Sequence, residues 1–281
     1  MNRKIQQHKF ACFKALHQRS GTFVLPNAWD AGSAKILTAL GYEALATTSA
    51  GFAFSSGMRD SCGSFSCDEI LDNARAIAQA TNLPVSVDLE DGFGASPEAC
   101  ANTIRKAVEA GLVGGSIEDA TGNKEAPIYP LAQAVERIQA AASQGERSGF
   151  ILTARAENYL WGNPDFDDTL KRLIAYEEAG ADVLYAPGLP DLEAIKTVCE
   201  VLTRPVNVVM GLSGPTWTVD ELQAAGVKRI STGGSPARAA LGEFVRAASE
   251  IKENGSFSYA TAALPDATAA AYMEEEGSDV D

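Results

Sequence analysis

Histidine is the scarcest useful chemistry in this chain. Only two are present, His8 and His17, both in an N-terminal segment of helical period. A Ser-His-Asp triad and a histidine-built transition-metal site are therefore not expected. Basic residues are also few: 23 Lys and Arg stand against 37 Asp and Glu, for a formal net charge of -14. A nucleic acid or an anionic membrane needs clustered cations, so neither is an expected partner. A small anion stays open, because a bound cation or a buried arginine makes a site locally positive inside an acidic protein. The cysteines Cys12, Cys62, Cys67, Cys100 and Cys199 are odd in number and scattered, which is no disulfide framework. Cys62 and Cys67 are the one close pair, and they lack the further ligands of a zinc set. No apolar run reaches membrane-spanning length, and MNRKIQQHKFACFKALHQ lacks the apolar core of a signal peptide. Together with free thiols, this leads us to expect a cytoplasmic protein. No P-loop (GxxxxGK-S/T) and no GxGxxG turn follows the first strand.

What is present is an alternation of short β-branched runs with longer stretches of helical period, the sequence form of βαβ units. Strands are expected at Phe23 to Ala28, Ala44 to Ser49, Val85 to Glu90, Gly115 to Asp119, Ile151 to Glu157, Val183 to Pro187, Val206 to Met210 and Arg229 to Thr232. Eight strands with interleaved helices predict a closed (β/α)₈ TIM barrel rather than an open sheet. Gly41, Gly111, Gly180 and Gly226 each follow an apolar-periodic helix, as a C′ glycine does. A helix from about residue 4 to 18 is expected to cover the bottom of the barrel, and a long one from Pro236 to Glu253 to follow the last strand. The tail ends EEEGSDVD, a solvated acidic terminus. Nothing divides the chain, so residues 1–281 are read as one domain of ordinary soluble composition, 46 % hydrophobic and 21 % charged.

Active sites of such barrels form at the C-terminal strand ends. The third strand finishes PVSVDLEDGFG; residues two apart share a face, so Asp88 and Glu90 are expected to converge while Asp91 points away. The fourth, GGSIEDATG, brings Glu118 and Asp119 to the same level. Gathered carboxylates repel unless a cation sits among them, so Asp88, Glu90 and Glu118 predict a hard metal held by oxygens. The fifth reads FILTARAENYLWG. There Arg155 is placed to clamp a substrate carboxylate, the alternative being a structural pair with Glu157. After the second strand, TTSAGFAFSSGMRD offers Ser49, Ala50 and Gly51, whose backbone N–H groups can approach an anion closely. Asp60 ends that loop. Without histidine, proton transfer falls to Asp, Glu, Lys, Tyr, Cys or water.

The ordered set NAWDAGSA, TTSAGFAFSSGMRD, VDLEDGFG, GGSIEDATG and TARAEN resembles the isocitrate lyase / phosphoenolpyruvate mutase superfamily, from about Phe23 to the helix after Ser235. The resemblance implies a modified (β/α)₈ barrel whose last helix is exchanged between subunits of a homodimer or homotetramer. It also implies a small carboxylate substrate and Mg²⁺, with Mn²⁺ as the alternative. On it, Asp88 is a direct metal ligand, and Glu90 and Glu118 bind directly or through water, although many members carry Asp where Glu90 stands. Arg155 contacts substrate, the backbone of Ser49, Ala50 and Gly51 holds its carboxylate, Asp60 completes the mouth, and Asn207 is a further pocket residue. The gating loop of the isocitrate and methylisocitrate lyases resembles KKCGH; here it is DATGNKEAPIYP, without Cys or His, which argues against those two activities. Asn123 and Lys124 are the loop's candidates for catalysis, and ARAEN looks closer to the mutase-like branch.

The function expected is a Mg²⁺-dependent lyase or hydrolase cleaving a C–C or C–P bond of a 2-oxo or 2-hydroxy carboxylate of the oxaloacetate, alkylmalate or phosphonopyruvate type, through an enolpyruvate-like intermediate. The alternatives are phosphoenolpyruvate phosphonomutase and, from another class, a non-catalytic binding barrel.

Overall fold

A computed structural model describes residues 3–60 and 63–274. Cys62 and the acidic end from residue 275 lie outside the described residues, and Cys12, Cys67, Cys100 and Cys199 are free thiols. In chain order the elements are α1 (Arg3–Gln18), β1 (Phe23–Leu25), β2 (Asn27–Ala28), α2 (Ala31–Ala39), β3 (Leu45–Thr47), α3 (Ser49–Ser55), α4 (Cys67–Gln79), β4 (Val85–Asp88), α5 (Pro97–Glu109) and β5 (Gly114–Glu118). They continue with α6 (Leu131–Ser148), β6 (Ile151–Arg155), α7 (Phe166–Glu178), β7 (Val183–Tyr185), α8 (Leu192–Val201), β8 (Val206–Val209), α9 (Val219–Ala224), β9 (Arg229–Ser231), α10 (Ser235–Asn254) and α11 (Asp266–Met273).

The strands form one parallel sheet in the order β1-β9-β8-β7-β6-β5-β4-β3-β2, the (β/α)₈ barrel expected from the alternation. Nine strands serve eight positions because the first predicted strand is divided at Pro26. Proline has no N–H to give the ladder, although its carbonyl accepts from Ala46 N at 2.8 Å. Phe23–Leu25 pairs with β9, and Asn27–Ala28 with β3, so the chain itself bridges the ends of the sheet. The helices between strands, α6 with its Pro130 excepted, start on side-chain caps, such as Ser66 with Glu69 before α4 and Thr218 with Glu221 before α9. Gly41, Gly111, Gly180 and Gly226 all take positive φ, as helix stops do.

The structure differs from the sequence expectation in three places. Thr48 caps Gly51 N and starts α3, where a turn and loop were predicted. The strands carrying Glu90 and Glu157 end earlier, at Asp88 and Arg155. A short 3₁₀ turn at Ser258–Thr261 and helix α11 follow α10, with Lys35 Nζ donating to Met273 O at 2.6 Å.

The bottom of the barrel is plugged by α1. Phe13 and Leu16 pack with Phe23, Leu25, Val113, Ile151 and Val183. Gly114 is required there, since a Cβ would lie 2.6 Å from the Phe13 ring. His17 sits edge-on between Phe13 and Phe23. Its Nδ1 contacts Phe13 O at 2.8 Å and its Nε2 contacts Arg229 Nη1 at 3.3 Å. A carbonyl only accepts and a guanidinium only donates, so the neutral Nδ1–H tautomer alone satisfies both. Burial and the Arg229 charge hold its pKa down at about 3.

This sets a pH dependence. The unfolded chain takes up a proton near pH 6.5 that the folded chain refuses until about pH 3, so stability is full above pH 6.5 and is lost as pH falls through that window. In His17→Gln an amide keeps both hydrogen bonds without titrating. We expect wild type to lose up to about 1.4 kcal/mol per pH unit relative to this variant below pH 6, read from urea midpoints at pH 7, 5.5 and 4.5. Parallel curves would contradict the assignment.

Candidate active site

At the C-terminal strand ends, Arg155 stands among carboxylates. Its Nη1 is 3.3 Å from Asp88 Oδ1, its Nη2 3.0 Å from Glu118 Oε2 and its Nε 2.8 Å from Glu157 Oε1. Asp88 also accepts from Ser49 Oγ at 3.0 Å and Ser116 Oγ at 3.4 Å. The register explains the meeting, because Asp88 pairs with Ser116 and Glu118 with Arg155 across β4, β5 and β6. Arg155 makes the structural pair with Glu157 and also links two of the predicted metal ligands.

Glu90 joins the site by a route the alternation did not predict. It lies past the strand with φ +47°, an αL conformation uncommon for a non-glycine residue. It nevertheless lines the same cavity of about 380 Å³ as Asp60, Asp88, Glu118, Lys124, Arg155 and Glu157. Five carboxylates face two cations there. Burial first, then the Asp88, Asp91 and Asp60 charges, push Glu90 up to about 8. Burial raises Glu118 well above the usual carboxylate range against the opposing pull of Arg155, and Asp60 rises through burial and Asp88. For Arg155 itself, burial is outweighed by Glu118, Glu157 and Asp88, which keep it charged.

A second cavity of about 190 Å³ runs from this mouth into the barrel, walled by Ser49, Ala50, Asp60, Asp88, Arg155, Tyr185, Asn207 and Arg229 among others. Arg155 lies 5.1 Å over the Tyr185 ring. Below, Asn207 Nδ2 donates to Ser231 Oγ at 3.0 Å and its Oδ1 accepts from Arg229 Nε at 2.7 Å.

The phosphoenolpyruvate phosphomutase family model matches residues 13–252. The chain belongs to this family. A solved structure from Burkholderia cenocepacia J2315, provisionally assigned as a lyase/mutase, is 51 % identical, with a TM-score of 0.94 over 97 % of this chain and 98 % of that one. An uncharacterised protein of Mycobacterium tuberculosis is 33 % identical, covering 86 % of this chain and 89 % of its own. The 2-methylisocitrate lyase of Escherichia coli K12 is 27 % identical over 76 % of this chain and 75 % of its own. The superfamily, in which isocitrate lyases and phosphoenolpyruvate mutases are joined, comprises lyases and mutases acting on small carboxylates.

The remaining residues that the family resemblance suggested fall into two groups. Ser49, Ala50, Asp60 and Asn207 line the inner cavity, and Lys124 faces the acidic one. Gly51 and Asn123 are engaged elsewhere. Gly51 N donates to Thr48 Oγ1 at 3.2 Å, and its bare Cα is needed because a Cβ would lie 2.7 Å from Thr48 Cγ2. Asn123 Oδ1 accepts from Glu125 N at 3.0 Å, capping the tip of a loop closed by the Ala120 to Ile128 bridge.

Asp119, the residue after β5, is turned away from the two cavities. It accepts from Glu157 N at 2.8 Å, Tyr176 Oη at 2.6 Å and Arg172 Nη1 at 3.0 Å. Arg137 binds the carbonyls of Asp91, Gly94 and Glu118 and covers the Tyr129 ring. These buried groups fix the turns that carry the acids; of them the sequence reading named Asp119 alone, without its partners.

For a hard cation the donor chemistry fits: Asp88, Glu90 and Glu118 are all-oxygen ligands with too little positive charge around them. Among the described residues no three such side chains converge on one point as a metal cage; Asp88 and Glu118 instead meet on Arg155. A metal ion there would have to loosen that pairing.

Proposed function

We propose that this family member is a Mg²⁺-dependent lyase or hydrolase cleaving a C–C or C–P bond of a small 2-oxo or 2-hydroxy carboxylate, of the oxaloacetate, alkylmalate or phosphonopyruvate type, through an enolpyruvate-like intermediate. The observation that carries it is Arg155 bridging Asp88 and Glu118 at the mouth of a polar cavity. Asp88, with Glu90 and Glu118, would hold Mg²⁺, and the bound ion would supply positive charge that stabilises an enolate. Arg155 holds the substrate carboxylate in two-point fashion, Ser49 and Ala50 line the pocket beside it, and Asp60, whose pKa burial and the Asp88 charge raise, is the group assigned to proton transfer at the mouth.

The test is a screen of 2-oxo and 2-hydroxy acids with Mg²⁺, pyruvate release being the readout. Asp88→Ala should abolish turnover and calorimetric Mg²⁺ binding while the circular dichroism stays native. Full turnover of that variant in the presence of a chelator would remove the metal from the reaction. A second reading, phosphoenolpyruvate phosphonomutase, is favoured by Lys124 facing the acidic cavity from a loop without Cys or His. It would convert phosphonopyruvate to phosphoenolpyruvate with no pyruvate released.

An assembly is supported by α10, whose Leu241, Phe244, Val245 and Ile251 are exposed in the single chain, Phe244 by 68 %. Such a face is the signature of burial against another subunit. We expect a dimer or tetramer by light scattering at micromolar protein, and Phe244→Asp with Val245→Asp to shift the mass towards the monomer.

A further inference from the structure

Arg229 is a buried cation facing the reaction cavity without an anion. It is 4 % exposed and lines the inner cavity. Its three hydrogen bonds all go to neutral groups: Asn207 Oδ1 at 2.7 Å, Thr153 Oγ1 at 2.9 Å and His17 Nε2 at 3.3 Å. Among the described residues no carboxylate lies within ion-pairing distance of it, whereas Arg155 has three and Arg172 has two. Arg137, also without a carboxylate, is surrounded by three backbone carbonyls and an aromatic face. Arg229 has one amide oxygen, one hydroxyl and one imidazole nitrogen. An arginine stays protonated in a protein interior, and a buried unpaired charge carries a cost of several kcal/mol in general.

The register gives this charge a direction. Glu118, Arg155, Tyr185, Asn207 and Arg229 are successive partners round the barrel, so the two arginines stand on either side of Tyr185 within one cavity. Arg229 also orders the groups above it. Its Nε holds Asn207 Oδ1, which leaves Asn207 Nδ2 to donate to Ser231 Oγ. With its oxygen accepting there, the Ser231 hydroxyl has its own proton free to donate into the cavity. We propose that Arg229, with Asn207 and Ser231, forms a second anion subsite that takes the far anionic group of the substrate, a carboxylate or a phosphonate, while Arg155 holds the near carboxylate.

This rests on the proposed function only in requiring that the inner cavity bind a 2-oxo carboxylate. The charge acts partly through Asn207 and Ser231, so Arg229 is a positioning residue as well as a counter-charge. Its effect must therefore depend on the charge of the ligand.

The experiment is calorimetric titration of the full chain with Mg²⁺ against pyruvate, oxaloacetate and phosphonopyruvate, for wild type, Arg229→Met, Arg229→Gln and Arg229→Lys. Arg229→Met should weaken oxaloacetate, phosphonopyruvate or both by at least 30-fold while pyruvate changes less than about threefold. Arg229→Lys should recover part of the loss. The melting temperature of Arg229→Met should not fall, because an unpaired buried charge is removed; Arg229→Gln serves the same comparison if the methionine variant does not fold. Loss confined to oxaloacetate identifies a carboxylate subsite, and loss confined to phosphonopyruvate a phosphonate one. Equal weakening of all three ligands, or no weakening, overturns the subsite. Failure of wild type to bind any of them overturns the proposed function instead.

Discussion

Arg155→Met should reduce turnover to background and lower the stability of the folded chain by about 3–5 kcal/mol, the general cost of removing one partner from a buried ion pair. The removed guanidinium compensates three carboxylates at once, at 2.8 to 3.3 Å, and Glu157 and Glu118 are nearly inaccessible to water. Among the described residues no other cation forms an ion pair with these three carboxylates. One further outcome separates a reaction site from a structural knot. Arg155 competes with any metal for Asp88 and Glu118, so Mg²⁺ should raise the melting temperature of Arg155→Met more than that of wild type. Equal shifts would show that the carboxylates do not share a cation.

Asp119→Ala should cost at least about 3 kcal/mol, corresponding to a fall in melting temperature of roughly 6–12 °C for a chain of this size. Asp119 is 3 % exposed and accepts from an amide, a phenol and a guanidinium that face no alternative anion apart from Asp168, 2.7 Å from Arg172 Nε. Asparagine would be no rescue, because its amide group turns two donors towards three existing ones. Activity should fall by a smaller factor than for Arg155→Met, because Asp119 touches no cavity and acts only by fixing Glu157 N. Differential scanning calorimetry, with kcat on the substrate found by screening, separates the two effects.

Much of this fold could be read from the sequence because α2, α5, α7 and α9 announce their ends with glycine and β4, β5 and β6 finish in acid or arginine. Asp88, Glu118 and Arg155 follow from strand ends alone, since neighbouring parallel strands put equivalent ends side by side. Glu90 reaches the cavity by a route other than the expected one: strand alternation was extended two residues past where β4 stops, and an αL turn brings the side chain there instead. Asp119 could not be separated from Glu118 by sequence, as adjacent residues on a strand face opposite ways and either could be the inner one. Arg229 went unnoticed inside a short β-branched run. Its signal was there: it lies two residues before Ser231 and so shares that residue's face, but the inward face becomes known only once the register is closed.

The exposed face of α10 carries a thermodynamic consequence. If a second copy covers Leu241, Phe244 and Val245, part of what holds the barrel together is supplied by association, and mass action enters its unfolding. The melting temperature then rises with protein concentration, and each tenfold dilution withdraws about 1.4 kcal/mol per mole of dimer. A value measured at one concentration describes the solution as much as the chain.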